Sequence, residues 1–361
     1  MTSTKEELGN DYGPQRLSVE LANICNLHCS YCLRDDDNLY NSTARFFSAD
    51  LLRQILIDAR ETAGIKSVIF TGGEPTLHPR FSEILKTVSD ADLTASFITN
   101  GWHFERIWGG LLEHRAAVSH VAFSLDGPTR DSHDHWRGKG SFDRIVQAFS
   151  RCYLKQIPFV VKMNIRRDLI GRLEESAIFA ARMGASAFNF AHLFSTSTDI
   201  EKESGLTLTE RRNAEQEIAL IGRILKMPVR IDVGYYNIDE ESAPCSPLAG
   251  TSMNVDFQGR LTLCCNLSGF RSAEWNDSDV VADLKVESFA SAFAKFKNLA
   301  NEQLQRRREV LRSMREKGVQ PDLNTGSPCQ FCLKSFGKTP WSDSTKKGAH
   351  SLRSLPVKNI A

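Results

Sequence analysis

From about residue 17 to residue 228 the chain alternates short apolar segments with amphipathic ones, and this alternation limits its possible folds more than any other feature. The predicted strands are Leu17–Ile24, Ser67–Thr71, Thr94–Thr99, His120–Leu125, Phe159–Asn164 and Ala187–His192. The predicted helices between them include Asp50–Thr62, Phe81–Ser89, Phe142–Tyr153 and Glu174–Met183. Such alternation is typical of parallel βα units, and six units are too few to close an eight-stranded barrel. With right-handed crossovers, the sequence predicts an α/β fold, a partial (β/α)6 TIM-like barrel.

The pattern changes near residue 229. Val229–Tyr235 predicts a strand, and Met253–Phe257 with Arg260–Cys264 predicts a hairpin that turns at Gln258 and Gly259. A long charged helix is predicted over Ser288–Lys317, and we interpret its run from Arg306 to Arg308 as a solvated face. We therefore expect a polar N-terminal tail (1–14), a barrel domain (15–228), a small α+β domain (229–338) and a disordered tail (339–361).

The overall composition limits the cellular locations and the classes of binding partner to be expected. Lys+Arg 45 against Asp+Glu 44 gives a net charge of +1, which offers no support for a nucleic-acid or anionic-membrane partner. The apolar runs are short, so no membrane span is expected, and the polar N-terminus does not resemble a secretory signal. We expect a cytoplasmic protein, in which the nine cysteines do not form structural disulfides and those grouped in the sequence serve as metal ligands.

Three of the cysteines, Cys25, Cys29 and Cys32, lie in one short loop after the first predicted strand. Three thiolates can hold three corners of an iron–sulfur cube and leave the fourth iron without a protein ligand, whereas such clusters normally have four cysteines. An open coordination position is where a metal site performs chemistry. The alternative is a zinc knuckle, because sulfur ligands alone do not separate zinc from iron.

Further polar and glycine residues follow the next strands, where the loops of a parallel barrel converge. After the second strand, Gly72 and Gly73 allow the backbone to approach a ligand closely. The following Glu74 can meet an ammonium, with a glycine turn and a solvated carboxylate as the alternative. Asn100 follows the third strand as a weaker signal.

The fourth and fifth strands end in groups suited to a sugar and a carboxylate. Strand alternation places Ser124 and Asp126 on one face, where they suit hydroxyl groups. Arg137 suits a carboxylate through its planar fork. The fifth strand ends at Asn164, and His192 after the sixth is interpreted as a structural histidine.

In order and spacing, these segments resemble the radical S-adenosylmethionine (radical SAM) superfamily over about 210 residues. The resemblance implies that Cys25, Cys29 and Cys32 hold a 4Fe–4S cluster whose fourth iron binds SAM, and that Tyr31 lies beside the adenine. It implies that Gly72, Gly73 and Glu74 receive the SAM ammonium. The implied ribose and carboxylate contacts are Ser124, Asp126, Arg137, Asn164 and, less directly, Asn100. The implied chemistry is reductive cleavage of SAM to a 5′-deoxyadenosyl radical that abstracts hydrogen from a substrate.

The later cysteines resemble a C-terminal extension called SPASM or, with one cluster, twitch. The resemblance implies a second, auxiliary 4Fe–4S cluster on Cys245, Cys264, Cys329 and Cys332, with zinc on the same four thiolates as the alternative. The spacing from Gly259 favours Cys264 over Cys265 as the ligand. Cys265 is then either a small buried hydrophobe or a catalytic hydrogen donor, and Cys152 is interpreted as a buried hydrophobe.

The resemblance leaves two groups of substrates. We favour modification of a ribosomally made peptide by crosslinking, epimerisation or oxidation. The alternative is a dehydrogenase or epimerase of a sugar or other small molecule. Only 24 residues precede Cys25, so leader-peptide recognition is expected from a separate protein or from the barrel loops. An electron donor such as flavodoxin or ferredoxin is also implied, and a non-catalytic metal-binding adaptor is the third hypothesis.

Overall fold

The structure is a computed structural model that describes residues 15–33, 45–194, 198–269 and 277–338. The two tails expected at 1–14 and 339–361 lie outside the described residues.

A single open sheet organises the described residues. Its ten strands are β1 (Gln15–Ala22), β2 (Ile65–Gly72), β3 (Thr94–Thr99), β4 (Val118–Ser124), β5 (Phe159–Ile165), β6 (Ala187–His192), β7 (Val229–Val233), β8 (Ser252–Val255), β9 (Arg260–Thr262) and β10 (Val280–Asp283). Their spatial order is β10-β9-β8-β1-β2-β3-β4-β5-β6-β7. Neighbouring strands from β1 to β7 are parallel, and β8 is parallel to β1. The predicted α/β fold with an open parallel sheet is confirmed, and β7 adds a seventh strand beside β6.

Helices connect the strands in the predicted positions. They are α1 (Ala49–Ala63), α2 (Phe81–Asp90), α3 (Phe104–Glu113), α4 (Arg130–Arg137), α5 (Ser141–Leu154), α6 (Leu173–Arg182), α7 (Thr198–Ser204), α8 (Leu208–Ile224), α9 (Cys265–Ser268), α10 (Phe289–Glu316), α11 (Leu323–Gly326) and α12 (Pro328–Ser335). Local signals explain several ends. The Ser48 side chain caps the start of α1, and Gly64 ends it at a φ of 63°. None of the helices described here is long and apolar enough to cross a membrane.

The two faces of the sheet carry different residues. On the helix side, Phe70, Phe97 and Phe123 are fully buried in one hydrophobic core. Because side chains alternate along a strand, Ser124 and Asn164 lie on the opposite, inner face. That face is therefore available for a polar site.

The C-terminal part joins the same sheet instead of standing apart from it. β8 and β9 form the predicted antiparallel hairpin, and β8 pairs with β1 through Leu17 and Met253. The sheet thus continues through the boundary expected near residue 229, and the two-domain division stays a prediction. The interpretation of a solvated face for residues 306–308 is wrong for Arg307, which is 1% exposed because it faces the turns near Asn237 and Gly326.

Candidate active site

The loop with the first three cysteines follows β1. It is held by backbone hydrogen bonds and by hydrogen bonds that a cysteine sulfur accepts. Cys32 donates its backbone N–H to the Cys29 carbonyl at 2.9 Å. Cys25 Sγ accepts from Leu27 N at 3.4 Å and from Asn100 Nδ2 at 3.7 Å. Cys29 is buried, and burial raises the pKa of its thiol to about 12. Asn100, which follows β3, therefore lies beside the cysteine loop.

The glycine segment after β2 packs against the backbone of that loop. Gly73 N donates to Ala22 O, and Glu74 N donates to Ile24 O, both at 2.8 Å. A Cβ on Gly73 would overlap the Ile24 carbonyl, and Gly72 has a φ of 125°. Glycine is required here because the two backbones lie in direct contact.

The Glu74 carboxylate is 2% exposed and fully engaged with neighbouring donors. Oε1 accepts from Thr76 N at 3.1 Å, Thr76 Oγ1 at 2.6 Å and Thr99 Oγ1 at 2.7 Å. Oε2 accepts from Asn100 N at 2.8 Å. Burial raises the pKa of Glu74, and these hydrogen bonds oppose the rise. The alternative of a solvated carboxylate is therefore wrong for Glu74, because its side chain is buried. Its hydrogen bonds instead tie the glycine segment to the end of β3.

Asp126, just after β4, is the centre of a buried ion-pair network. Tyr31 Oη and Arg137 Nε both donate to Oδ2, while Arg166 Nη1 donates to Oδ1 at 3.0 Å. Arg137 Nη2 also donates to Tyr31 Oη at 2.9 Å. Burial favours the protonated acid, but the charges of Arg137 and Arg166 outweigh it and lower the pKa of Asp126 to about 2. The Asp126 carboxylate is therefore ionised and engaged by protein groups.

Four residues of this network were not among the predicted site residues. Arg166 is fully buried, donates from Nε to Asp168 Oδ1 at 3.1 Å and lies 4.3 Å from the Trp136 ring centroid. Trp136 Nε1 donates to Asp168 Oδ2 at 2.9 Å. His133 Nδ1 accepts from Asp126 N at 3.1 Å. Arg166 could have been found from strand alternation, since it lies two residues beyond Asn164.

Ser124 and Asn164 remain outside this network. Both are half-buried on the inner face, where Ser124 pairs in register with Lys162 and Asn164 with Ala191. His192 is buried and bonded to Glu215 at 2.9 Å, as expected for a structural histidine.

The second group of cysteines surrounds a small cavity between the hairpin and the C-terminal helices. Cys245, Cys264, Cys329 and Cys332 line it together with Pro247, Leu248, Leu263, Asn266, Leu267, Pro328 and Leu333. Cys265 does not line the cavity and is exposed. Burial raises the pKa of the Cys329 thiol to about 12. Four thiols in an apolar wall suit a ligand that keeps them deprotonated.

Within the described part of the chain, no three His, Cys, Asp or Glu side chains form a group that could ligate one metal ion. Thiolates of an iron–sulfur cluster bind different irons, so they need not converge on one point.

One known protein family matches the part of the chain that contains this site. Residues 19–166 match the Radical SAM superfamily. The matched segment includes the three-cysteine loop, the glycine segment, Asp126 and Arg166. The chain therefore carries a radical SAM domain.

Several curated proteins are similar to this chain over about half its length. Mycofactocin maturase MftC of Mycobacterium tuberculosis is 32% identical over 181 residues, 48% of this chain and 43% of MftC. Sporulation killing factor maturation protein SkfB of Bacillus subtilis is 29% identical over 185 residues, 50% of this chain and 42% of SkfB. An AdoMet-dependent heme synthase of Methanosarcina barkeri is 25% identical over 193 residues, 53% of this chain and 54% of the synthase. The chain thus spans about half the length, or less, of these relatives.

Solved structures share the fold at low sequence identity. Streptococcus suis SuiB bound to S-adenosylmethionine superposes with a TM-score of 0.61 at 16% identity, covering 79% of this chain and 68% of SuiB. The structure of anSMEcpe with bound AdoMet gives a TM-score of 0.63 at 15% identity, covering 91% of this chain and 97% of that chain.

Proposed function

We propose that this protein is a radical SAM enzyme that modifies a ribosomally synthesised peptide. The observation that carries the proposal is the loop of Cys25, Cys29 and Cys32 at the end of β1, packed against the glycine segment inside a radical SAM domain. The three thiolates would hold a 4Fe–4S cluster with one iron open to SAM.

The surroundings of the cysteines fit such a cluster. The Leu27 and Asn100 donors to Cys25 Sγ are of the kind that supports a metal-bound thiolate. Asn26 Nδ2 is buried and has no hydrogen-bond partner among the described residues, although Asn26 Oδ1 accepts from Asn100 at 3.0 Å. When bound, the cluster and SAM supply one-electron cleavage of the C–S bond and abstraction of a substrate hydrogen by the 5′-deoxyadenosyl radical.

The chain's own residues would position SAM. Both Glu74 oxygens are engaged, so we assign Glu74 to holding the glycine segment in place and the segment's backbone to meeting the ammonium. Asp126 would hold Tyr31 and Arg137 in fixed orientations beside the cysteine loop, the first against the adenine and the second near the carboxylate. The half-buried Ser124 and Asn164 remain available for the ribose and carboxylate.

We further propose that Cys245, Cys264, Cys329 and Cys332 hold an auxiliary 4Fe–4S cluster, because all four line one small cavity. Zinc on the same thiolates is the alternative, and it would require the four sulfur atoms to converge more closely than they do in this structure. The exposed Cys265 would not be a ligand of this cluster, and it either donates hydrogen to a substrate radical or has no catalytic role.

The peptide substrate is supported by names of related proteins. MftC and SkfB are named as a maturase and a maturation protein, and SuiB has been solved bound to a precursor peptide, SuiA. We propose an external one-electron donor of the flavodoxin or ferredoxin class, leader recognition by a separate protein or by the barrel's own loops, and a cytoplasmic location, where the cysteines stay reduced.

The test is anaerobic reconstitution with iron and sulfide, followed by SAM and dithionite. We expect 5′-deoxyadenosine and methionine, and about eight irons per chain for two clusters. No 5′-deoxyadenosine with several reductants would favour the non-catalytic adaptor. Four irons and one zinc would show that the second site is a zinc site.

A second candidate function is modification of a small molecule, which the similarity to AdoMet-dependent heme synthase favours. Sugars that undergo dehydrogenation or epimerisation belong to the same candidate class. The two are separated by incubating the reconstituted protein with precursor peptides encoded beside its gene and with small molecules from neighbouring pathways. A mass change in the peptide supports the first function, and a change only in a small molecule supports the second.

A further inference from the structure

Helix α10 presents two buried polar side chains to the second cysteine group. Gln303 is 4% exposed and donates from Nε2 to Cys332 Sγ at 3.6 Å. Arg307, one turn later on the same face, is 1% exposed. Burying a polar side chain costs free energy unless it has a hydrogen-bond or charge partner. The burial of both residues, on a helix whose other side is highly charged, therefore requires partners nearby.

Arg307 holds the two segments that lead to the cysteines. Its Nη2 donates to Asn237 O and, at 3.2 Å, to Gly326 O. Gly326 also accepts from Asn237 N at 2.9 Å, and it lies three residues before Cys329. Arg307 therefore fixes the backbone that positions Cys329.

One donor of Arg307 is still unused. Its Nε is buried and lacks a hydrogen-bond partner among the described residues. Burial lowers the pKa of Arg307, while the negative charges of Cys332 and Cys245 raise it, so the guanidinium lies within electrostatic reach of these thiolates. A buried N–H without an acceptor, within electrostatic reach of Cys245, Cys329 and Cys332, is accounted for if those thiols carry an anionic group.

We propose that Gln303 and Arg307 are positioning residues that set the reduction potential of an iron–sulfur cluster held by Cys245, Cys264, Cys329 and Cys332. The inference rests on the auxiliary cluster of the proposed function. Reduction adds one electron to an already anionic cluster. An N–H···S bond from Gln303 and the positive charge of Arg307 both stabilise the more negative state. Together they raise the reduction potential.

The experiment uses the full chain, reconstituted without oxygen, and measures the midpoint potential of each cluster by redox titration followed by electron paramagnetic resonance. For Gln303→Leu we expect the equilibrium constant of one-electron reduction at the second cluster to fall about tenfold, a shift of about 59 mV to lower potential. The potential of the N-terminal cluster and the iron content should stay unchanged. Gln303→Glu should shift the potential further in the same direction.

Matched controls lie on the same helix. Gln305 and Arg306 are exposed, so Gln305→Leu and Arg306→Met should leave both potentials unchanged. Arg307→Lys keeps the charge, so the midpoint potential of the second cluster should fall less in Arg307→Lys than in Arg307→Met.

The outcomes separate this inference from the proposed function. A second cluster in Gln303→Leu at the unaltered potential would overturn the inference and leave the proposed function intact. Loss of that cluster in both Gln303→Leu and Gln303→Glu, but not in Gln305→Leu, would also overturn it in favour of a purely structural role. If the wild-type chain holds only one cluster, the proposed auxiliary site is ruled out, even if 5′-deoxyadenosine is still formed.

Discussion

Arg166 Nη1 donates to Asp126 Oδ1 at 3.0 Å, and neither side chain is exposed to solvent. The same guanidinium lies over Trp136 and contacts Asp168, so it joins the ends of β4 and β5 behind the cysteine loop. This pair fixes the orientation of Asp126, and through it those of Tyr31 and Arg137.

Removing Arg166 should destabilise the fold strongly. Arg166→Met leaves the Asp126 carboxylate buried with only part of its compensating charge, and breaking a buried pair in this way typically costs about 3–5 kcal/mol. Urea unfolding under anaerobic conditions measures the change. Arg172→Met, which breaks the exposed pair with Glu175, should have little effect. Equal losses in both variants would contradict the structural role of Arg166.

Enlarging Gly73 should disturb the cysteine loop. In Gly73→Ala the new methyl group overlaps the Ile24 carbonyl, so we expect iron incorporation at the N-terminal cluster and SAM binding to fall. Gly109→Ala is the control, because a Cβ there meets nothing within 4 Å. That change in helix α3 should stabilise the protein by about 0.5–1 kcal/mol. Normal iron content in Gly73→Ala would argue against the close backbone contact.

Replacing the first three cysteines should remove the N-terminal cluster and leave the second cluster in place. With Cys25, Cys29 and Cys32 changed to alanine, we expect iron to fall from about eight to about four per chain and 5′-deoxyadenosine formation to cease. Cys152→Ala should retain both, because Cys152 lies in the hydrophobic core. Iron and sulfide assays with chromatographic detection of 5′-deoxyadenosine provide the readout.

Cys264 and Cys265 should behave differently although they are adjacent. Cys264 lines the second cavity and Cys265 is exposed, so Cys264→Ala should lose about four irons and Cys265→Ala none. If Cys265 donates hydrogen to a substrate radical, Cys265→Ala should stop product formation with both clusters present. Unchanged product formation would remove that role.

Stability should fall in mild acid because of His133. Burial lowers the pKa of His133 from the ordinary 6.5 to about 4, so it is neutral in the folded protein. The unfolded chain takes up that proton near pH 6.5. The stabilising contribution is therefore complete above pH 6.5 and is lost as the pH falls toward 4. The total loss is about 3 kcal/mol.

His133→Gln tests this pH dependence, since glutamine does not titrate. Unfolding free energies at pH 7 and pH 5 should differ less in His133→Gln than in the unchanged protein. The exposed neighbour provides the control variant, His135→Gln, which should retain the full difference. An identical pH dependence in all three proteins would rule out His133 as the cause.

The strands were predictable because parallel strands covered by helices need continuous apolar runs, and Thr94–Thr99 and Ala187–His192 match to the residue. The role of Asp126 was not predictable from the sequence. It depends on Arg166, forty residues away, and on which face of the sheet that arginine occupies. The burial of Arg307 was hidden for a similar reason. Its charged neighbours indicated a solvated surface, and only the tertiary position of the turn at Gly326 shows otherwise.

The continuity of the sheet has a consequence for the two cysteine groups. The first follows β1, while Cys264 follows β9, and β8 alone separates these strands in the backbone ladder. A hinge between the groups would have to break main-chain hydrogen bonds. The separation between the first group and Cys264 is consequently fixed by the sheet, so any electron exchanged between clusters proposed at the two sites would cross the same gap at every turnover.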